Sequence, residues 1–266
     1  MNLFQVDAFT DQPFKGNPAG VCLLGMPKPE SWMLSVAREM NLSETAFLFP
    51  QGKTSYNLRW FTPATEVSLC GHATLASAHV IWEEKLLPST EMVTFMTKSG
   101  DLSARRAGDA IEMSFPARQV QPAAHNEELN RSLRTAPIFT GRYAAPKGDL
   151  YLLEVDSEAS LRAIAPDYQQ LASTPARAVI LTSRSSDSRY DFVSRYFAPA
   201  VGINEDPVTG SAHCYLAPYW GEKLGKKQLT GYQASERTGI VQCRWAEDRV
   251  WLGGRAVTVF KADLLV

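Results

Sequence analysis

The sequence has no apolar run approaching the roughly 20 residues that a spanning helix needs. Its opening, MNLFQVDAFTDQPF, has neither a basic start nor an apolar core, so no secretory signal is expected. Cysteine is scarce: Cys22, Cys70, Cys214 and Cys243, scattered over 266 residues, do not make a disulfide framework. Reduced thiols and a cytoplasmic location are the expectation. No charge of one sign is in excess, since 27 Lys+Arg stand against 28 Asp+Glu, for a net charge of −1. No field therefore draws the chain to nucleic acid or to a membrane surface. Gly-X-Gly-X-X-Gly and Gly-Lys-Ser/Thr loops are missing, which leaves nucleotide binding without a motif. A Gly-X-Ser-X-Gly elbow is missing too, so Ser211 and His213 lack the context of a hydrolase nucleophile.

What is present is the balance of a globular protein, with 45% hydrophobic and 21% charged residues. The chain also nearly repeats itself. Residues 59–82 read RWFTPATEVSLCGHATLASAHVIW, and residues 195–220 read RYFAPAVGINEDPVTGSAHCYLAPYW. Each copy follows the order helix, strand, strand, loop, helix, then a meander of strands. In the first copy the meander turns at Ser99-Gly100-Asp101 and Ala107-Gly108-Asp109; in the second, at Thr238-Gly239 and Ala246-Glu247-Asp248. The spacing predicts an α+β protein of two pseudo-symmetric domains, each a mostly antiparallel sheet or barrel around one apolar helix. The first half is expected over 1–117, with a tail at about 260–266 joining its sheet, and the second over 130–259. The polar, proline-flanked stretch 118–129 reads as the linker. Pro218 inside the second helix should kink or locally break it.

Both central helices begin with Gly-X-Ala or Gly-X-Ala-like small residues, at Gly71 and Gly210. Unpaired N–H groups and the positive end of the helix dipole suit such a start to a carboxylate or phosphate. Two of them offered to one cleft would hold a small anion between similar half-sites, with Gly71, Thr209 and Gly210 binding its carboxylate. The loops before them differ. Aligned on their glycines, Cys70 faces Thr209 and His72 faces Ser211. A thiol and imidazole opposite an acid and a hydroxyl suit proton transfer at a carbon beside a bound carboxylate. Cys70, His72, His79, His213 and Cys214 show no familiar zinc-ligand spacing, so no metal is expected.

DAFTDQPFKGNPAGV, LSETAFL, the CGHAT loop and EDPVTGSAH together resemble the phenazine-biosynthesis PhzF-like family, over the whole chain and in order. That family is similar in architecture to diaminopimelate epimerase and proline racemase. The resemblance implies a cofactor-independent isomerase working in the interdomain cleft and assembled as a homodimer. It implies that Glu44, in Ser-Glu-Thr, shuttles the proton, with His72, Asp206 and Ser211 completing the site. The two-thiol racemases of the wider fold carry a cysteine before each glycine; here only Cys70 stands in such a place, against Thr209. That argues for an asymmetric acid/base site, with Cys70 an auxiliary acid or a buried small residue. The partner expected is a small carboxylate metabolite. The other reading is a catalytically silent binding or interaction module that keeps the fold.

Overall fold

The computed structural model describes residues 1–146 and 148–266. The chain divides into two compact units, one of residues 1–114 with 251–266, the other of residues 115–250. The first opens with strands β1 (Asn2–Ala8) and β2 (Asn17–Leu23), antiparallel with Asn2 opposite Leu23 and Ala8 opposite Asn17. Gly16 makes the return possible: its φ is +65°, and a Cβ there would stand 2.2 Å from the Ala8 carbonyl oxygen. Helix α1 (Glu30–Met40) buries Met33, Val36 and Ala37 at helical spacing and ends on Asn41 in the left-handed conformation. It carries the chain to β3 (Glu44–Pro50), which lies parallel to β2 with Glu44 opposite Ala19. Strand β4 (Ser55–Phe61) returns antiparallel, and the two-residue β5 (Glu66–Val67) folds back on it.

Helix α2 (Gly71–Glu83) follows, and ten of its thirteen residues are buried. It is apolar all round, which only a helix enclosed by other elements tolerates. Its neighbours include β1, β2, β3 and the meander. Strand β6 (Val93–Thr97) then pairs parallel to β4, and β7 (Gly100–Ala107) and β8 (Ala110–Pro116) continue antiparallel.

The second unit repeats this pattern of pairings. After β9 (Gln121–Pro122) and α3 (Glu127–Leu133), β10 (Phe139–Tyr143) and β11 (Asp149–Glu154) pair antiparallel. Helices α4 (Glu158–Ala163) and α5 (Tyr168–Ala172) lead to β12 (Ala176–Arg184), parallel to β11. Strand β13 (Phe192–Phe197) is antiparallel to β12, and helix α6 (Gly210–Leu224) leads to β14 (Gln228–Gln233), parallel to β13. Strand β15 (Gly239–Ala246) closes antiparallel. Antiparallel, parallel, antiparallel, parallel, antiparallel: both units run through the same five pairings, so the duplication is structural. Strands β16 (Arg249–Gly254) and β17 (Ala256–Asp263) return the chain to the first unit, where β17 lies antiparallel on β1.

Two sequence expectations meet particular structure. Pro218 does not break α6, which runs unbroken from Gly210 to Leu224. Its missing N–H would have served the Cys214 carbonyl one turn back; the Arg118 N–H donates to that oxygen instead, at 3.0 Å. The stretch 118–129 also holds β9, paired with β10, and the start of α3, where the Asn126 side chain accepts from the Leu129 N–H. Among the described residues no helix is long and apolar enough to cross a membrane.

Candidate active site

In the first unit the reactive groups gather at the start of α2. Cys70 caps the helix in extended conformation without turning its side chain onto the helix N–H groups. Those donors therefore stay directed out of the helix end. The Cys70 carbonyl is held instead, by the Thr74 N–H at 3.2 Å and the Thr74 hydroxyl at 2.6 Å. The Cys70 thiol lies 3.5 Å from His72 Nδ1 and 3.9 Å from Nε2. Glu44, the first residue of β3, puts Oε2 3.3 Å from His72 Nε2.

His72 is buried, and loss of water pushes its imidazole down to a pKa of about 3. Burial outweighs the pull of the nearby carboxylate, so at neutral pH the contact joins a neutral ring to Glu44 rather than making an ion pair. A neutral imidazole carries one N–H and one bare nitrogen. With Glu44 ionised, the N–H belongs on Nε2, leaving Nδ1 to accept from the thiol. When Glu44 holds a proton, the roles can reverse. The arrangement thus accommodates both protonation states of the carboxyl without creating a buried charge on the ring.

The second unit builds its helix start differently. Asp206 Oδ2 accepts from the Thr209 hydroxyl at 2.5 Å, so this side chain also does not cap its helix, although the Ala212 N–H donates to the Thr209 carbonyl at 3.2 Å. Gln233, wholly buried on β14, fastens the loop. Its Oε1 accepts from the Thr209 N–H at 2.8 Å, and its Nε2 donates to the Asp206 carbonyl at 2.8 Å and Thr209 Oγ1 at 3.2 Å. Ser235 adds a hydrogen bond to the Pro207 carbonyl at 2.7 Å. His213 Nδ1 lies 2.9 Å from the Thr209 carbonyl oxygen, to which it must donate, so it occupies the place of Thr74 in the other helix. Burial pushes His213 down to about 4. It is turned to Thr209, while Ser211 is exposed on the first turn of α6.

Arg59 holds Glu66 in a two-pronged pair, Nε to Oε1 and Nη2 to Oε2, both at 2.7 Å. Arg195 holds Glu205 in the same way, at 2.7 and 2.8 Å. Each guanidinium also lies over the phenylalanine two residues on, Phe61 at 5.1 Å and Phe197 at 4.9 Å. The clasps pin the loops that deliver the two helix starts, and they absorb the greater length of the second loop. The Arg–Glu match between copies was a readable signal for them. Gln233 and Ser235 carry no such signal, because they reach the loop from β14 and the bend after it, both later in the chain than the helix.

Of the residues singled out from sequence, Glu44, Cys70 and His72 come together, with Gly71 between the last two in the chain. Asp206 and Thr209 come together in the second unit, with Gly210 beginning α6 and Ser211 beside it. His79 sits apart from both, 3.2 Å from Thr258 Oγ1 and 3.4 Å from Glu83, as a satisfied helix histidine.

The duplicated units have the epimerase-like architecture, and the chain's curated relatives place it among isomerases. The chain belongs to the phenazine biosynthesis-like protein family, whose model matches residues 6–262. It is 51% identical to an uncharacterized isomerase of Halalkalibacterium halodurans over 99% of this chain and 98% of that protein. A phenazine biosynthesis PhzF-family structure from Enterococcus faecalis superposes with a TM-score of 0.92 at 38% identity, covering 100% of this chain and 99% of its own. A predicted epimerase from Pseudomonas aeruginosa, 22% identical, shares the fold with a TM-score of 0.77, over 100% of this chain and 99% of its own.

Proposed function

We propose that this protein is a cofactor-independent isomerase that moves a carbon-bound proton on a small carboxylate-bearing metabolite, with Glu44 as the proton carrier. The observation that carries the reading is the 3.3 Å approach of Glu44 to a neutral, buried His72 at an open helix start. Glu44 in its ionised form takes the proton from carbon, and the same carboxyl returns it to a different carbon or the opposite face. His72 follows that change by exchanging which ring nitrogen carries its hydrogen. The charge that develops on the substrate as the proton leaves is met by backbone N–H groups at the start of α2, which need no reorganisation. Asp206 holds the Thr209 hydroxyl in place, and exposed Ser211 orients a polar group of the substrate. Thr209 in the place of a second thiol supports an asymmetric site over a two-thiol racemase.

The test has two stages. Carboxylated metabolites are screened for those that raise the melting temperature, since a ligand of the folded state stabilises it. Binders are then incubated in D₂O, and exchange at carbon is followed by NMR. Exchange by the native chain that is lost in Glu44→Gln supports the assignment. Exchange that persists in Glu44→Gln removes Glu44 from the role, and binding without any exchange favours a silent binding module.

A further inference from the structure

We propose that Glu44, Cys70 and His72 also form a binding site for a soft divalent cation, Zn²⁺ or Cd²⁺, whose occupation blocks the proton-transfer groups. One carboxylate oxygen, the thiol sulfur and an imidazole nitrogen of these residues all lie within 4.8 Å of one another. A tetrahedral zinc ion bound at ordinary lengths holds a nitrogen and a sulfur about 3.6 Å apart, and a nitrogen and an oxygen about 3.4 Å apart. His72 Nε2 is 3.9 Å from Cys70 Sγ and 3.3 Å from Glu44 Oε2. Small side-chain rotations close the difference.

The donor set also fits in kind. Thiolate, imidazole and carboxylate are the three ligand types zinc takes, and a soft thiolate disfavours magnesium and calcium, which prefer oxygen. Three protein ligands leave a fourth position for water. The Glu44 side chain, 14% exposed, gives an ion a way in from solvent. The set does not show as a spacing among cysteines and histidines, because its third ligand arrives from β3. On binding, the Cys70 S–H bond breaks, the metal–sulfur bond forms, and the proton leaves to solvent. No oxidant or reductant is needed. The bound ion is an inhibitor of the chemistry proposed above, not a participant in it.

The experiment uses the full chain, reduced, stripped with EDTA and desalted. Zn²⁺ is titrated in competition with a chromogenic chelator to obtain stoichiometry and affinity. Co²⁺ is titrated separately to read the thiolate-to-metal charge-transfer band. The expected result is one equivalent bound, with the band present in the native chain and in Cys22→Ser. Cys70→Ser abolishes the band and weakens Zn²⁺ binding by about tenfold or more, equivalent to about 1.4 kcal/mol. His72→Asn and Glu44→Gln each weaken it as well. Cys70→Ala serves as the second variant if Cys70→Ser does not keep the native circular dichroism and melting transition. Absence of stoichiometric binding, or a band unchanged in the Cys70 variants, overturns the proposal. Neither readout requires a substrate, so failure here leaves the isomerase reading standing, and failure of that reading, on which the inhibitory role rests, leaves the metal site standing and removes only that role.

Discussion

Glu44 Oε2 stands 3.3 Å from His72 Nε2, although one residue opens a strand and the other the first turn of a helix. The pairing of β2 with β3 sets Glu44 opposite Ala19, and burial of α2 against those strands brings His72 to it. Glu44→Gln keeps size and hydrogen-bonding capacity but cannot take up a proton. It is expected to cut substrate proton exchange by about 10²- to 10⁴-fold, the range for general acid–base groups, with the melting temperature little changed. NMR-detected exchange in D₂O measures the first and a thermal melt the second.

Two fully buried neutral histidines make the fold sensitive to acid earlier than carboxylates alone would. The folded-state values are about 3 for His72 and about 4 for His213, against an ordinary 6.5. Below pH 6.5 the unfolded chain therefore binds protons that the folded chain refuses. Stability is full above that pH and falls as pH drops toward 4. At about 1.4 kcal/mol per pH unit for each ring, urea unfolding at pH 5 should show a loss on the order of 2 kcal/mol per histidine relative to pH 7. His213→Asn should remove roughly half of that dependence. An unchanged slope in the variant would show that His213 does not drive it.

Both arginine clasps should cost stability when broken, to different degrees. Arg195→Met leaves Glu205, a largely buried carboxylate, without its two-pronged partner, and should cost about 2–3 kcal/mol. The double variant Arg195→Met/Glu205→Gln should recover part of that loss. Arg59→Met should be milder, because Lys98 also bonds Glu66. Arg195→Lys should not restore the native value, since an ammonium cannot make the paired contact. Denaturant melts arranged as double-mutant cycles read the coupling directly.

The Arg118 N–H and the Cys214 carbonyl make a third testable pair. Arg118→Pro removes the donor and strands a buried acceptor, for a cost of about 1–3 kcal/mol. Placed in a Pro218→Ala background, the same change should cost less, because residue 218 then supplies the N–H that α6 lacks. Equal costs in the two backgrounds would show that the hydrogen bond is not what the proline requires.

Much of the fold was legible because the chain states it twice. RWFTPA and RYFAPA both mark a strand running into a loop and then a buried helix, and period-two and helical spacings place the flanking elements. The break expected at Pro218 did not occur, since local propensity cannot reveal a distant backbone donor such as Arg118. In the site, Cys70 and His72 are visible as neighbours. The approach of Glu44 is not, because strand pairing and helix burial set it; resemblance alone had marked that residue. Gln233 carries no sequence signal for the same reason: its partners Asp206 and Thr209 lie on the far side of a helix in sequence.

The antiparallel pairing of β1 with β17, from Asn2 opposite Asp263 to Ala8 opposite Ala256, sets an order for birth on the ribosome. β1 must wait for β17, made much later, while all the strands of the second unit's duplicated ladder pair within residues 115–250. The later-made unit can therefore mature before the earlier one is closed. Until β17 has been made, one edge of β1 lies bare, a moment when a chaperone or a neighbouring nascent chain could occupy it.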